Sequence, residues 1–193
     1  KLRISVPENA SLNLAPLFTE FSAAHPEIQL IVDSGRDAAN LEKREADVAI
    51  RFTDKPPAYL VAKRLTRVCF QPFARKDYLE TLTNAEVEGK WILTQYRNME
   101  APFIDSISRL PGNHRVTQLV TGSDQVLAGV RSGGCLGFVS STVAAEYPML
   151  QSIYDQATHY YDAWLLAHPD SRSSPRVIKF KAFAESYFKR TEC

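Results

Sequence analysis

The sequence lacks any strong imbalance of charge: 23 Lys and Arg against 22 Asp and Glu leave a formal net charge of +1, and the basic residues are scattered rather than gathered into a stripe. A phosphate-binding face needs clustered positive charge, so direct nucleic-acid binding by this chain is not expected. Cysteine is scarce. Cys69, Cys135 and Cys193 are an odd, widely spaced set with no C-x-x-C pair, which argues against a disulfide framework or a zinc site and for a reducing cytoplasm. Cys69 and Cys135 sit in apolar strand-like stretches without a basic cluster to activate a thiol, so both read as small buried hydrophobes. No apolar run approaches the roughly 20 residues of a membrane span, and Lys1 to Val6 reads as a strand, not as a signal peptide. Because the chain opens inside an element, it reads as a fragment with something removed upstream.

Catalytic and metal signatures are missing too. His25, His114, His159 and His168 stand alone, without H-E-x-x-H or cysteines at ligand spacing, so neither a metal nor another cofactor is expected. There is no G-x-S-x-G elbow, and Gly129 to Gly137 reads as a helix end entering a strand, not as a phosphate cradle. Asp33, Asp37, Asp47 and Asp54 read as solvated loop and helix-end carboxylates rather than acid/base pairs. The chain is expected to be no enzyme.

What is present is an ordinary globular composition, 45% hydrophobic and 23% charged over 193 residues, enough for a core and fitting either one large α/β domain or two small lobes. Leu2, Ile4 and Val6 alternate as a strand closed by Pro7. Leu14, Leu17, Phe18 and Phe21 form one face of a helix expected over about Leu12 to Ala24, with Pro16 in its first turn. Ile28 to Val32 reads as a strand ended by the turn Asp33-Ser34-Gly35, followed by a short polar helix around Ala38 to Arg44 and the strand Val48 to Phe52. Alternating strands and helices predict a parallel sheet with helices on its faces.

After Pro56-Pro57, Leu60 to Leu65 and Val68 to Phe73 read as two strand-like stretches. The alternation then restarts: strand Trp91 to Gln95, helix near Pro102 to Arg109, strand Arg115 to Val120, helix Ser123 to Arg131 and strand Cys135 to Ser140. Ser123 is the expected N-cap of its helix and Gly133-Gly134 its end. A late strand over Tyr160 to Leu166 precedes a final helix with Ser174 as cap, Pro175 at the first position and Val177, Phe180, Ala184, Tyr187 and Phe188 on one side. Two such series predict two lobes with a cleft.

Leu2-Arg3-Ile4-Ser5-Val6, then Leu14-Ala15-Pro16-Leu17, Phe21 and His25-Pro26, resemble the opening of the LysR substrate-binding domain. Arg44-Glu45-Ala46-Asp47-Val48-Ala49-Ile50-Arg51, Leu60-Val61-Ala62-Lys63-Arg64-Leu65, Leu136-Gly137-Phe138-Val139 and His168-Pro169-Asp170 with Ser174-Pro175-Arg176-Val177 continue the likeness in order across essentially the whole chain. The resemblance implies an α/β, two-lobed fold like the type II periplasmic binding proteins, with mixed, mostly parallel sheets. Lobe I would hold residues 1–70 and 160–193, and lobe II residues 71–159. It also implies the effector-binding and oligomerisation part of a LysR-type transcription regulator, a homodimer or tetramer that meets DNA only through an N-terminal winged helix-turn-helix absent from this chain. The alternatives on the same fold are a transporter's extracytoplasmic solute-binding protein and an enzyme.

In open α/β sheets ligands sit beyond the carboxyl ends of the strands. That criterion selects Asn9, Ala10 and Ser11 after the first strand, Ser34, Gly35 and Arg36 after the second, and Arg51, Phe52 and Thr53 after the third. From the second series it selects Gln95, Gly122, Ser123, Ser140 and Ser141. These amides, hydroxyls and N–H donors with nearby arginine suit an anionic effector such as a small carboxylate. Each has a plainer role open to it: Asn9 and Ser11 as caps of the first helix, Ser34-Gly35 as a turn, Ser123 as a cap, and Arg51 as the partner of Asp47 or Asp54. The family often carries a proline after the strand ending in Val139; here Ser140-Ser141-Thr142 stand instead, making that wall more hydroxylated.

Overall fold

In a computed structural model, residues 1–7, 11–35, 45–94 and 115–191 are described. The chain divides into two units. Unit 1 comprises Lys1–Glu8, Asn13–Arg67 and Tyr161–Cys193; unit 2 comprises Asn9–Leu12 and Val68–Tyr160. The helices expected at 38–44 and 102–109 lie outside the described residues.

Unit 1 is built on the parallel strands β1 (Leu2–Pro7), β2 (Leu30–Gly35) and β3 (Val48–Phe52). β1 lies in the middle, and β9 (His159–Ala167) runs antiparallel beside β3. β4 (Val61–Arg75) lies next to β9 in the sheet order. β1 is buried on both faces over Ile4, Ser5 and Val6, as a central parallel strand should be.

α1 (Ala15–Ala24) and α6 (Pro175–Thr191) supply the apolar cover of this unit. Leu17 and Phe21 are fully buried, as are Phe180 and Ala184 at helical spacing on α6. The Phe21 and Phe180 rings meet edge to face at 5.1 Å, and Phe183 meets Phe21 at 5.4 Å. His25, at the end of α1, lies against the Phe21 ring at 4.8 Å. On the surface, Lys179 pairs with Glu27 at 2.7 Å and Arg190 with Glu20 at 2.9 Å; exposed pairs of this kind add little to stability.

Unit 2 contains β5 (Lys90–Thr94) parallel to β6 (Arg115–Val120), with Trp91 bridged in parallel to Leu136 just before β7 (Gly137–Ser140). β7 and the short β8 (Leu150–Ser152) pair antiparallel with the second half of β4. Three short helices, α2 (Lys76–Leu79), α3 (Ala85–Glu88) and α5 (Ser141–Ala144), accompany α4 (Ser123–Ser132). Val126, Leu127 and Val130 of α4 pack with Ile92, Val139, Val143 and Leu150 into one core. α4 comes close because Gly137 has no side chain: a Cβ there would stand 2.7 Å from Val126 Cγ1 and 2.9 Å from Val130 Cγ2. Gly133 and Gly134, at φ of +90° and +83°, end the helix as expected.

Several boundaries differ from expectation. α1 starts at Ala15, and its capping residue Leu14 offers no side-chain bond; Asn13 Oδ1 accepts from the Ala15 N–H at 3.2 Å instead. Ser11 stands four residues before that start, so it does not cap α1. Asp33, Ser34 and Gly35 are strand rather than turn, because the parallel ladder continues through Val6↔Ser34 and Pro7↔Gly35. Leu60–Leu65 and Val68–Phe73 merge into the single β4: Thr66-Arg67 looks like a break, yet Arg67 Nε donates to Asp162 Oδ1 of β9 at 3.0 Å and the strand runs on. Cys135 is buried, and Cys69 only half-buried. Among the described residues no helix is long and apolar enough to cross a membrane.

Phe180 joins α6 to α1 and is 0% exposed. Phe180→Ala should therefore cost about 3–5 kcal/mol in chemical denaturation. A loss below about 1 kcal/mol would show that this aromatic cluster does not hold unit 1 together.

Candidate functional site

Parallel pairing brings the carboxyl ends of β1, β2 and β3 to one edge of the unit 1 sheet, the edge at which open α/β sheets bind ligands. Side-chain alternation then decides which residues share a face. Ser5 is opposite Asp33 on one side and Ala49 on the other, so Arg51, two residues beyond Ala49, projects to the face of Ser5 and Asp33. Ser34, paired with Val6, belongs to the opposite face, as does Phe52.

Arg51 does not pair with Asp47 or Asp54. Its Nη1 donates to the Ser5 carbonyl at 3.0 Å and to the Ile50 carbonyl at 2.7 Å, and its Nη2 donates to Ser5 Oγ at 2.7 Å. The guanidinium thus folds back along β3 onto β1. Burial pushes its pKa down, while the charge of Asp33 acts in the opposite sense; a guanidinium stays charged throughout the physiological range. Asp47 is engaged elsewhere: Oδ2 accepts from the Arg3 backbone N–H at 2.8 Å, and Oδ1 faces Arg176 Nη2 at 3.5 Å.

Ser5, only 2% exposed, is the residue that fixes this arrangement, and sequence reasoning passed over it. A serine inside the apolar alternation of Leu2, Ile4 and Val6 was the available signal, because a buried hydroxyl on a central strand requires a partner. Asp33 was passed over for a different reason, having been read as part of a turn.

The other expected residues divide as follows. Asn9, Ala10, Arg36 and Gln95 lie outside the described residues. Ser11 is buried at 7% exposure, and Gly35 is the last residue of β2. Thr53 serves its own loop: its Oγ1 accepts from the Lys55 N–H at 3.2 Å, and its carbonyl accepts from Trp164 Nε1 at 2.9 Å.

In unit 2, Gly122 is the N-cap of α4, extended at φ −130° and ψ 144°, and Ser123 is already the first helical residue. The expected serine cap is displaced by one position, and Asp124 supplies negative charge in the first turn. Ser140 ends β7 and caps α5, its Oγ accepting from the Val143 N–H at 3.2 Å. Ser141 begins α5 and is half-buried. Among the described residues no group of three or more His, Cys, Asp or Glu converges on a metal-sized space. His168 caps the 3-10 turn Pro169–Ser173, its Nδ1 accepting from the Asp170 N–H at 3.2 Å.

The profile of the LysR substrate binding domain matches residues 1–189. The chain belongs to that family. Over 80 residues it is 40% identical to an HTH-type transcriptional regulator of Xanthomonas campestris pv. campestris, a stretch covering 41% of this chain and 23% of that protein. A similar stretch is 32% identical to the HTH-type transcriptional regulator DsdC of Escherichia coli, covering 39% of this chain and 26% of the regulator. The matched stretches thus span about a quarter of these curated relatives.

Solved structures agree on the fold. The effector domain of the transcriptional regulator AmpR of Pseudomonas aeruginosa superposes with a TM-score of 0.79 at 17% identity, covering 98% of this chain and 96% of that one. The full-length virulence activator AphB of Vibrio cholerae, a member of the LTTR family, gives 0.74 at 18% identity, covering 97% of this chain and 68% of AphB. The LysR substrate-binding domain therefore has here the α/β, periplasmic-binding-protein-like architecture with mixed sheets that the sequence suggested.

Ser140 caps α5 and is 1% exposed. Ser140→Ala should lower stability by about 0.5–2 kcal/mol, and Ser140→Asn should recover part of it. Equal melting temperatures for wild type and Ser140→Ala would show that the capping bond carries no weight.

Proposed function

We propose that this domain senses a small-molecule effector on behalf of a DNA-binding transcription regulator, and that it carries out no chemistry on the molecule it binds. The observation that carries the reading is the family match over residues 1–189, joined to a half-buried, pre-positioned Arg51 at the carboxyl end of a parallel sheet. A guanidinium held in place forms charge-assisted bonds at low entropic cost, which suits a carboxylate-bearing ligand. Gly35 and Thr53, with Arg36, are proposed beside Arg51, whereas Ser34 and Phe52 would meet an effector from the other face of the sheet; Asn9, Ala10 and Ser11 are proposed contacts after β1. Gln95, Gly122, Ser123, Ser140 and Ser141 of the second series are proposed as effector contacts of their own unit.

In the whole regulator, DNA contact would fall to a helix-turn-helix segment, in keeping with the names of the curated relatives, and the protein would work in the cytoplasm. Assembly into a homodimer or tetramer is part of the same proposal. Among the described residues strand β2 ends the sheet order, and it bears Ile31 and Val32 at 38% and 42% exposure; apolar edges of this kind favour association with a second copy. Effector binding would bias that assembly only through a difference in affinity between its conformational states.

A thermal-shift screen of the domain against small carboxylates, amino acids and aromatic acids, with calorimetry on each hit, tests this reading. A ligand at a hundred times its dissociation constant should stabilise the domain by about 2.7 kcal/mol. Each kcal/mol corresponds to roughly 2–4 °C in a domain of this size. No shift across the panel would contradict effector sensing through this face and leave assembly without a ligand as the function.

A further inference from the structure

Three side chains on one face of unit 1 form an arrangement that a simple anion would not use fully. Ser5 occupies a rung of the sheet with Asp33 on one neighbouring strand and Ala49 on the other. Arg51 reaches back from β3 to place its Nη2 2.7 Å from Ser5 Oγ. Its cationic head therefore lies over β1, one strand away from the Asp33 carboxylate, and adjacent strands are about 4.8 Å apart. Asp33 itself is exposed.

The hydrogen bonds of Arg51 to Ser5 and Ile50 use both protons of Nη1 and one of Nη2. Among the described residues they leave the second Nη2 proton and the Nε proton for a further acceptor. We propose that Arg51, Ser5 and Asp33 form a recognition site for a zwitterionic α-amino acid, with Arg51 receiving the carboxylate, Asp33 the ammonium, and Ser5 acting as the positioning residue for Arg51.

Charge complementarity singles out this class. A carboxylate without an amine would gain Arg51 but meet the like charge of Asp33, and an amine without a carboxylate would meet the reverse. A molecule with an ammonium and a carboxylate on the same carbon satisfies both walls, and in a half-buried site each mismatch is weakly screened. Asp33 also opposes the effect of burial on Arg51, so its charge is felt at the guanidinium. The proposal rests on the effector-binding reading above and narrows it to one ligand class.

The test is calorimetry on the 193-residue domain with the common L- and D-amino acids, each beside its N-acetyl and C-amide forms and beside the matched carboxylate lacking the amine. At least one amino acid should bind, with its N-acetyl and amide forms at least tenfold weaker. Asp33→Asn, a change at an exposed position, should weaken that amino acid at least tenfold without weakening the amine-free carboxylate. Ser5→Thr should retain more affinity than Ser5→Ala, a rescue that a merely space-filling serine would not show.

Binding of amine-free carboxylates as tightly as amino acids, or an Asp33→Asn variant with unchanged affinity, would overturn the zwitterion assignment and leave effector sensing standing. Failure of every amino acid and every carboxylate would overturn both. If Ser5→Ala does not fold, Asp33→Asn still decides the question.

Discussion

The parallel pairing of β1 with both of its neighbours is the constraint on which unit 1 depends. Leu2↔Leu30 through Pro7↔Gly35 on one side, and Ile4↔Val48 with Ser5↔Ala49 on the other, fix three strands in one register. A slip of one residue would turn Ile4 and Val48 away from the core and bring Ser5 to the opposite face. Two devices hold the register. The apolar face, with Leu2, Ile4, Val48 and Ile50 at 0–1% exposure, is buried. On the approach to β3, Asp47 accepts the Arg3 N–H and so ties that segment to β1. The position of Arg51 over Ser5 is a consequence of this register rather than a separate feature.

How much could be read in the sequence follows from the length over which each signal repeats. α6 was legible because Val177, Phe180, Ala184 and Phe188 recur over several turns behind a Ser-Pro start. The start of α1 and the cap of α4 were misjudged because capping turns on one residue's φ and ψ: Leu14 is αR, and Gly122 is extended. The turn assigned to Asp33-Ser34-Gly35 rested on composition alone. A long-range ladder with β1 overrides that local preference, and no local window contains β1. The unbroken β4 is likewise set by its sheet neighbours β9, β7 and β8, far along the chain.

Looking beyond the strand ends selected Arg51 and the serines at the start of α5 as candidates, and it favoured loop residues over those inside the strands. Ser5 and Asp33 become partners of Arg51 only when the strand order β2-β1-β3 is known. That order is a tertiary fact. The family resemblance supplied the fold class, which the match over residues 1–189 establishes, whereas distant relatives at 17–18% identity in the solved structures cannot transfer a ligand. Effector chemistry therefore has to be argued from this chain's own side chains.

The central claim is that Arg51 is fixed before any ligand arrives, and side-chain NMR of the arginine guanidinium groups tests it without needing to know the effector. The account predicts that Arg51 shows slow rotation about its guanidinium bonds and protected Nη protons in the free domain, and that Ser5→Ala, which removes the Nη2 bond and leaves the two Nη1 bonds to backbone carbonyls, speeds the exchange at Nη2 while the remaining arginines are unchanged. A guanidinium at position 51 that rotates and exchanges as fast as an exposed surface arginine would contradict it.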